Sequence, residues 1–530
     1  MQRIPYFETR TLDDIDFDLV IGEHLRTSAR RTAVLRLLPE ILAAIFAFHA
    51  EANPTNPDRK RAVIPEGMTL AQFRLGWITV THVCSVWRHV ALDHRTLWTR
   101  HRFNLGLEWT TEMLRRAGST PLNLTFSEQI VPYGPYPPSE GNVSNVIPQL
   151  LHRASTLTIE ERACTSAVLD TLTLPAPLMR SLTISTSQFA ILPRSLFGDV
   201  VPNFHHLFLS NALPTWTSVA LTCLKSLSIS IDRNADMSNM PSYADLFNAL
   251  QTMHNLDSLV LIGCIPFGPC DFEQKVQLPK LRCLRLRCHV PGLCQVLEHL
   301  QFPPETIVQG TCVTDDMTGQ ECCDVVPLIL SYLPHPSLET LSVTWGDQFD
   351  RAFHINGYST SYEDENSGKP SFFLQGSRCF SVGFQFKYLL WSAAQKLRIL
   401  KAVCSALPTG KLRALSGKLD LGKDAWPEIF GNHKDLRHVR ACSLTTLGSL
   451  IPFLAREGVY PKLVSLTLRD MDLSPKRGAG VPFIDGLKTG RPPRLSEVFI
   501  ENCRIRRDLV EWMRAAVPGV QIEWDGVELT

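Results

Sequence analysis

The chain has 530 residues, with 53 Lys+Arg against 52 Asp+Glu, a net charge of +1, 44% hydrophobic and 20% charged residues. That length corresponds to roughly three or four domains at about 150 residues each. The near-neutral balance and the apolar fraction exclude an intrinsically disordered chain and give no global electrostatic pull toward nucleic acid or acidic lipid. The opening MQRIPYFETRTLDD is charged and has no apolar core, so no secretory signal is expected. No run of about 18 apolar residues predicts a membrane-spanning helix. Fifteen scattered Cys read as reduced, mostly buried thiols of a cytoplasmic or nuclear protein. Residues 1–34 read as an N-terminal extension.

Helical signals dominate up to about Leu114. Leu37 to Phe48 places Pro39 at a first helical position, where its missing N–H costs nothing. Leu38, Ile41, Leu42, Ile45 and Phe46 follow at helical spacing as a wide apolar stripe. Gly76 to Ala91 predicts a second amphipathic helix with Val80, Val83, Cys84, Trp87 and Ala91 on one face, and Leu97-Trp98 closes the segment.

The order Leu38-Pro39-Glu40-Ile41-Leu42, Ile45-Phe46, Val83-Cys84-x-x-Trp87-Arg88 and Leu97-Trp98 resembles an F-box over residues 35–100. The stretch from Glu51 to Phe73 departs from the pattern, being longer than the usual link. The resemblance implies a three-helix F-box docked on the Skp adaptor and, through it, on cullin. The chain would then be the substrate-receptor subunit of an SCF-type ubiquitin ligase, with no catalytic residue of its own. It assigns the adaptor contact to Leu38, Pro39, Ile41, Leu42, Ile45, Phe46, Val83, Cys84, Trp87, Leu97 and Trp98. The residues support this independently: about 65 residues are too few to bury two apolar helices alone. A partner groove filled by Leu38, Ile41, Leu42 and Trp87 would use helix-in-groove recognition, with Trp as the anchor. The alternative is that these helices cap the first repeat.

From about Pro121 onward, short apolar triplets recur. They are Leu157-Thr-Ile159, Leu182-Thr-Ile184, Leu207-Phe-Leu209, Leu227-Ser-Ile229, Leu259-Val-Leu261, Leu284-Arg-Leu286, Leu341-Ser-Val343, Val439-Arg-Ala441, Leu466-Thr-Leu468 and Val498-Phe-Ile500. The first spacings are 25, 25, 20, 32 and 25 residues, a period that marks stacked repeats. Leu224, Leu256, Leu281, Leu338, Leu463 and Leu495 stand three positions ahead and complete L-x-x-L-x-L. This resembles an irregular leucine-rich repeat. The expected fold is α/β: the N-terminal helices, then, over residues 101–530, a horseshoe-like solenoid with a parallel sheet and helical return paths. Each short strand buries one face only when stacked on its neighbours. Helices are expected at Ser242–Leu250 and Leu447–Leu454. Cys264 and Cys503 occupy the turn position that the repeat reserves for Asn or Cys. Further strands are expected near Ile307-Val308, Phe372–Leu374 and Leu412–Leu415. Two insertions, 131–141 and 346–370, read as surface loops. An F-box followed by such a solenoid is similar to a class of fungal F-box proteins.

The residue between each apolar pair should face away from the core: Thr158, Thr183, Phe208, Ser228, Val260, Arg285, Ser342, Arg440, Thr467 and Phe499. Of these, Phe208, Arg285, Arg440 and Phe499 are the candidate target contacts, because aromatic and Arg side chains dominate interface energies. Cys283, Cys288, His289 and Cys294 lack the doubled Cys pairs of a structural zinc site, and Cys283 and Cys288 should point to opposite faces of one strand. His205 and His206 should likewise diverge. No phosphate loop, hydrolase elbow or zinc-protease motif is present. No cofactor, metal, nucleic-acid or membrane partner is expected. Two functions follow: an SCF substrate receptor for a protein target, or a non-catalytic repeat scaffold without a ubiquitination role.

Overall fold

Each apolar triplet lies within a β-strand, and in every one of them both flanking residues are buried. The structure is a computed structural model. It describes residues 37–55, 75–103, 105, 107–126, 140–160, 163–232, 240–316, 318–331, 338–345, 353–358, 378–386, 392–407, 409–418, 425–454, 456, 458–474, 480–489 and 492–527. The chain divides into two compact units, Met1–Thr183 and Ile184–Thr530.

The first unit begins with α1 (Pro39–Ala52), a 3-10 helix Gly76–His82, α2 (Ser85–Asp93) and a 3-10 turn Arg95–Trp98. Then come β1 (Arg100–His101), α3 (Leu107–Ala117), β2 (Leu122–Phe126), α4 (Glu140–Leu150), β3 (Ala154–Ile159) and α5 (Ser166–Thr171). The strands pair in parallel in the order β1-β2-β3. Pro39 holds the expected first position of α1. The helix expected over Gly76–Ala91 is split. Ile78, Thr79, Val80, Thr81 and Val83 are β-branched and resist the α-helix. Thr79 and Thr81 hydroxyls donate to the carbonyls of Gly76 and Ile78, at 2.7 and 2.8 Å. Cys84 then adopts an extended conformation (φ −160°, ψ 170°) and caps α2, its sulfur accepting from the Trp87 N–H.

The long link between the helices is pinned at its ends. Trp77 N–H donates to the Asn53 carbonyl at 2.9 Å, and Gly76 (φ +54°) sits where a Cβ would lie 2.5 Å from the Pro54 oxygen. Only glycine fits that closure. Residues 56–74 between these ends, like 1–36, lie outside the described residues.

Strand β4 (Ser181–Ile191) contains the division between the units. In the second unit, β5 (His206–Leu213), β6 (Ser226–Ser230), β7 (Ser258–Ile262), β9 (Cys283–His289) and β11 (Ile307–Thr314) pair in parallel and in register. Two short strands, β8 (Val276–Gln277) and β10 (Leu300–Gln301), pair separately. Further along, β15 (Ala414–Gly417), β16 (His438–Ala441), β17 (Ser465–Arg469), β18 (Glu497–Glu501) and β19 (Gln521–Trp524) continue the parallel ladder.

Between these blocks the expectation of an all-parallel sheet fails. Strands β12 (Thr340–Trp345), β13 (Phe353–Tyr358) and β14 (Arg378–Phe386) form a meander that enters the sheet in reverse order, β11-β14-β13-β12-β15, with β13 antiparallel to both neighbours. The supposed loop at 346–370 therefore contains a strand, and the rest of it lies outside the described residues, as do most of 131–141 and the strand expected at Phe372–Leu374. The helix layer keeps chain order: α8 (Gln320–Ser331) packs on α9 (Ala393–Ala406) across the whole meander. Helices α6 (Tyr243–Thr252), α7 (Val290–His299), α10 (Ala425–Phe430), α11 (Leu444–Leu454), α12 (Gly480–Thr489) and α13 (Arg507–Ala516) complete the layer. Helix α6 starts at a capping box in which Ser242 and Asp245 satisfy each other's backbone N–H.

Strand ends share a device. Asn211, Gly263, Asp470 and Asn502, each two residues past the second apolar residue of its triplet, have φ of 55°, 67°, 54° and 48°. At Gly263 a Cβ would stand 2.6 Å from the Ile231 carbonyl, so nothing larger is accommodated. The next residue turns inward. The Cys264 and Cys503 thiols, both buried, donate to the carbonyls of Ile229 (3.9 Å) and Leu468 (3.4 Å) of the preceding strand, which is the role their position in the repeat predicts.

Candidate functional site: an apolar face on the N-terminal helices

Helix α1 is apolar almost all the way round, and its two sides meet different surroundings. Leu42, Ala43, Phe46 and Ala50 are buried within the first unit. The Phe46 ring lies 5.1 Å from that of Trp87. Beneath them Trp77 and Trp98 meet edge to face at 5.0 Å. Trp98 donates its indole N–H to the Ala91 carbonyl at 2.8 Å, and the Arg116 guanidinium lies 4.8 Å over its ring. On the opposite side of α1, Leu38 is 63% exposed and Phe48 74%, with Ile41 and Ile45 also exposed between them. Val83, 61% exposed, and Val86 of α2 are exposed as well. His49, Leu75, Thr79, Val80, His82, Val83 and Trp87 line a groove of about 410 Å³ between the helices.

The residues assigned to the adaptor by resemblance thus separate. Leu38, Pro39, Ile41, Ile45 and Val83 are exposed, Cys84 is half-buried, and Trp87 is half-buried at the groove. Leu42, Phe46, Leu97 and Trp98 are buried in the unit's own core, so they support the surface rather than form it. Leu42 therefore leaves the set Leu38, Ile41, Leu42 and Trp87. The reading missed Phe48 and Val86. The signal for Phe48 was available: it continues the 38, 41, 45 stripe at helical spacing.

His101, in β1, is buried, and burial holds its imidazole down at about 4, against an ordinary 6.5; the nearby Arg153 charge adds to this and a backbone hydrogen bond at Trp98 opposes it. It is a neutral core group.

On the sheet of the second unit, Phe208 (38% exposed) and Arg285 face outward as expected, with Thr158 in the first unit half-exposed. Arg440 and Phe499 are buried, as are Ser342 and Thr467, which corrects their assignment to an open face. The middles of strands β15 to β18 are covered on both sides, and Arg440 reaches from there to the half-exposed Glu501 at 3.3 Å. The His205 and His206 rings, expected to diverge, meet edge to face, 6.2 Å apart and at 79°. Cys283 is half-buried on the outward side while Cys288 is buried on the other. Burial pushes the Cys264 thiol up to about 12 and the Cys288 and Cys312 thiols well above their ordinary value, so they stay protonated. Among the described residues no group of three or more His, Cys, Asp or Glu could hold a metal ion, and no helix is long and apolar enough to cross a membrane.

Neither a protein-family profile nor a curated protein sequence matches the chain. Among solved structures, it is similar to an LRR protein of Leptospira interrogans at 13% identity and a TM-score of 0.24, covering 72% of this chain and 92% of that one. That likeness is too distant to bear on fold or function. The class is defined by the strands themselves: a mixed α/β protein of stacked repeats with a mostly parallel sheet.

Proposed function

We propose that the chain is the substrate-receptor subunit of an SCF-type ubiquitin ligase, its N-terminal helices docking on the Skp adaptor and its repeat sheet holding a protein target. One observation carries the reading. Helix α1 spends one apolar side on its own core and leaves Leu38, Ile41, Ile45 and Phe48 exposed on the other, while its His49 lines a groove with Val83 and Trp87. Four large apolar side chains left exposed along one side of a single helix mark a protein interface. Fully burying each large aliphatic or aromatic side chain is worth about 1.5–3 kcal/mol. A mere cap on the first repeats would turn this side inward, which favours the adaptor over that alternative. A repeat scaffold without a ubiquitination role is the second reading, favoured by the open face of β5–β9, which would serve a partner in either case.

The test is co-purification of the full chain with recombinant Skp adaptor, alongside the double variant Ile41→Asp/Phe48→Asp. Both positions are exposed, so the variant folds. Capture by the wild type and at least a thirtyfold weaker capture by the variant are expected, as for loss of interface anchors worth about 2 kcal/mol. A wild-type chain that does not capture the adaptor sinks the receptor reading and leaves the scaffold.

A further inference from the structure

The two strand blocks of the second unit present different outer faces, and that of β5–β9 is open along its length. Its outward residues are set by the in-register pairing. On β6 they are all small: Ser226, Ser228 and Ser230. On one side of this low floor rise His206 and Phe208 of β5, their rings parallel within 9° and 6.4 Å apart. On the other side, across β7 with its outward Ser258, Val260 and Ile262, Arg285 of β9 is exposed. The floor is therefore a shallow trough with an aromatic wall and a cationic wall.

The trough's charge is one-sided. Among the outward positions of β5, β6, β7, β9 and β11 there is no Asp or Glu. The nearest acids stand at strand ends. Asp232 accepts from the Asn211 amide at 2.8 Å and is held there. Asp257 precedes β7 and acts on Cys283. No carboxylate lies within ion-pair distance of Arg285 among the described residues. An exposed guanidinium beside Val260, with its own strands offering no counter-charge, complements a carboxylate.

We infer that this trough holds an extended acidic peptide segment of the target, with an aromatic or aliphatic side chain seated against Phe208 and a carboxylate on Arg285. The inference rests on reading the sheet as the target-holding part of the receptor, and names the chemistry it selects. The spacing follows from the sheet. From β5 to β9 there are three inter-strand steps, about 14 Å at roughly 4.8 Å each, which an extended chain at about 3.3 Å per residue covers in about four residues. Residues four apart on an extended chain point to the same side, so anchor and acid reach both walls together.

Selection of a random dodecapeptide library displayed on phage against the immobilised full chain tests this. The recovered peptides are expected to carry Asp or Glu about four residues from a Phe, Tyr, Leu or Ile. Recovery of the best of them should fall at least tenfold with Arg285→Ala and with Phe208→Ala, a tenfold change being about 1.4 kcal/mol. Arg285→Glu should turn the selection toward Lys and Arg. An absence of enrichment, enrichment without acidic residues, or recovery unchanged by Arg285→Ala overturns the inference. Adaptor capture by the same proteins is read in parallel. A chain that captures the adaptor but selects no acidic peptide keeps the receptor reading and loses this one. A chain that selects acidic peptides but captures no adaptor does the reverse.

Discussion

Strands β6 and β17 carry nearly the same sequence pattern, Leu227-Ser-Ile229 and Leu466-Thr-Leu468, and meet opposite conditions. The two apolar side chains of each, Leu227 and Ile229 in one and Leu466 and Leu468 in the other, are buried. The hydroxyl residue between them differs: Ser228 remains half-exposed, whereas Thr467 is fully buried. The same contrast separates Phe208 from Phe499 and Arg285 from Arg440. A strand's inward face is fixed by its own alternation, because one face must pack on the helix layer. Whether the outward face is open depends on what the rest of the chain lays over it. One half of the sheet is thus a surface and the other half is core on both sides.

The sharpest way to break this comparison is a charge placed at the middle of each strand. Thr467→Lys puts a second cation next to the buried Arg440, its in-register neighbour, where no water reaches, and should destabilise the protein by at least about 4 kcal/mol, while Ser228→Lys should stay within about 0.5 kcal/mol. Urea unfolding midpoints compare them directly; equal shifts would mean that both faces are equally open. Next in size, Phe499→Ala should cost about 3–5 kcal/mol, the range for an aromatic removed from a packed site, against less than about 1 kcal/mol for Phe208→Ala. The third test extends the contrast to the first unit, where protonation itself brings charge into a closed site. His101 in the folded chain titrates at about 4, below its ordinary 6.5. The unfolded chain therefore binds the extra proton between those values, and stability is full above about 6.5 and falls as pH drops toward 4, by about 1.4 kcal/mol per unit. His101→Leu should flatten that slope in pH-dependent thermal unfolding; an unchanged slope would assign the acid sensitivity to other groups.

The α1 surface shows how far a sequence reading reaches. The stripe Leu38, Ile41 and Ile45 and the buried set Leu42, Phe46 and Ala50 are both written in the helix at its own period. A helix apolar on all sides already implies two partners. Which side belongs to its own core was not legible, because Trp77, Trp87 and Trp98 choose it from later in the chain. The split of the second helix was legible in its β-branched run, although the spacing of its apolar residues pointed to a single helix.

The sequence by itself determined the ten triplet strands, their inward faces and the thiol turns at Cys264 and Cys503. Each of these depends on residues a few positions apart. The tertiary structure alone decided the reversed meander β14-β13-β12, the burial of Arg440, Thr467 and Phe499, and the open trough of β5–β9. These depend on pairings between segments tens of residues apart, whose register and cover leave no local mark on the strands they bury.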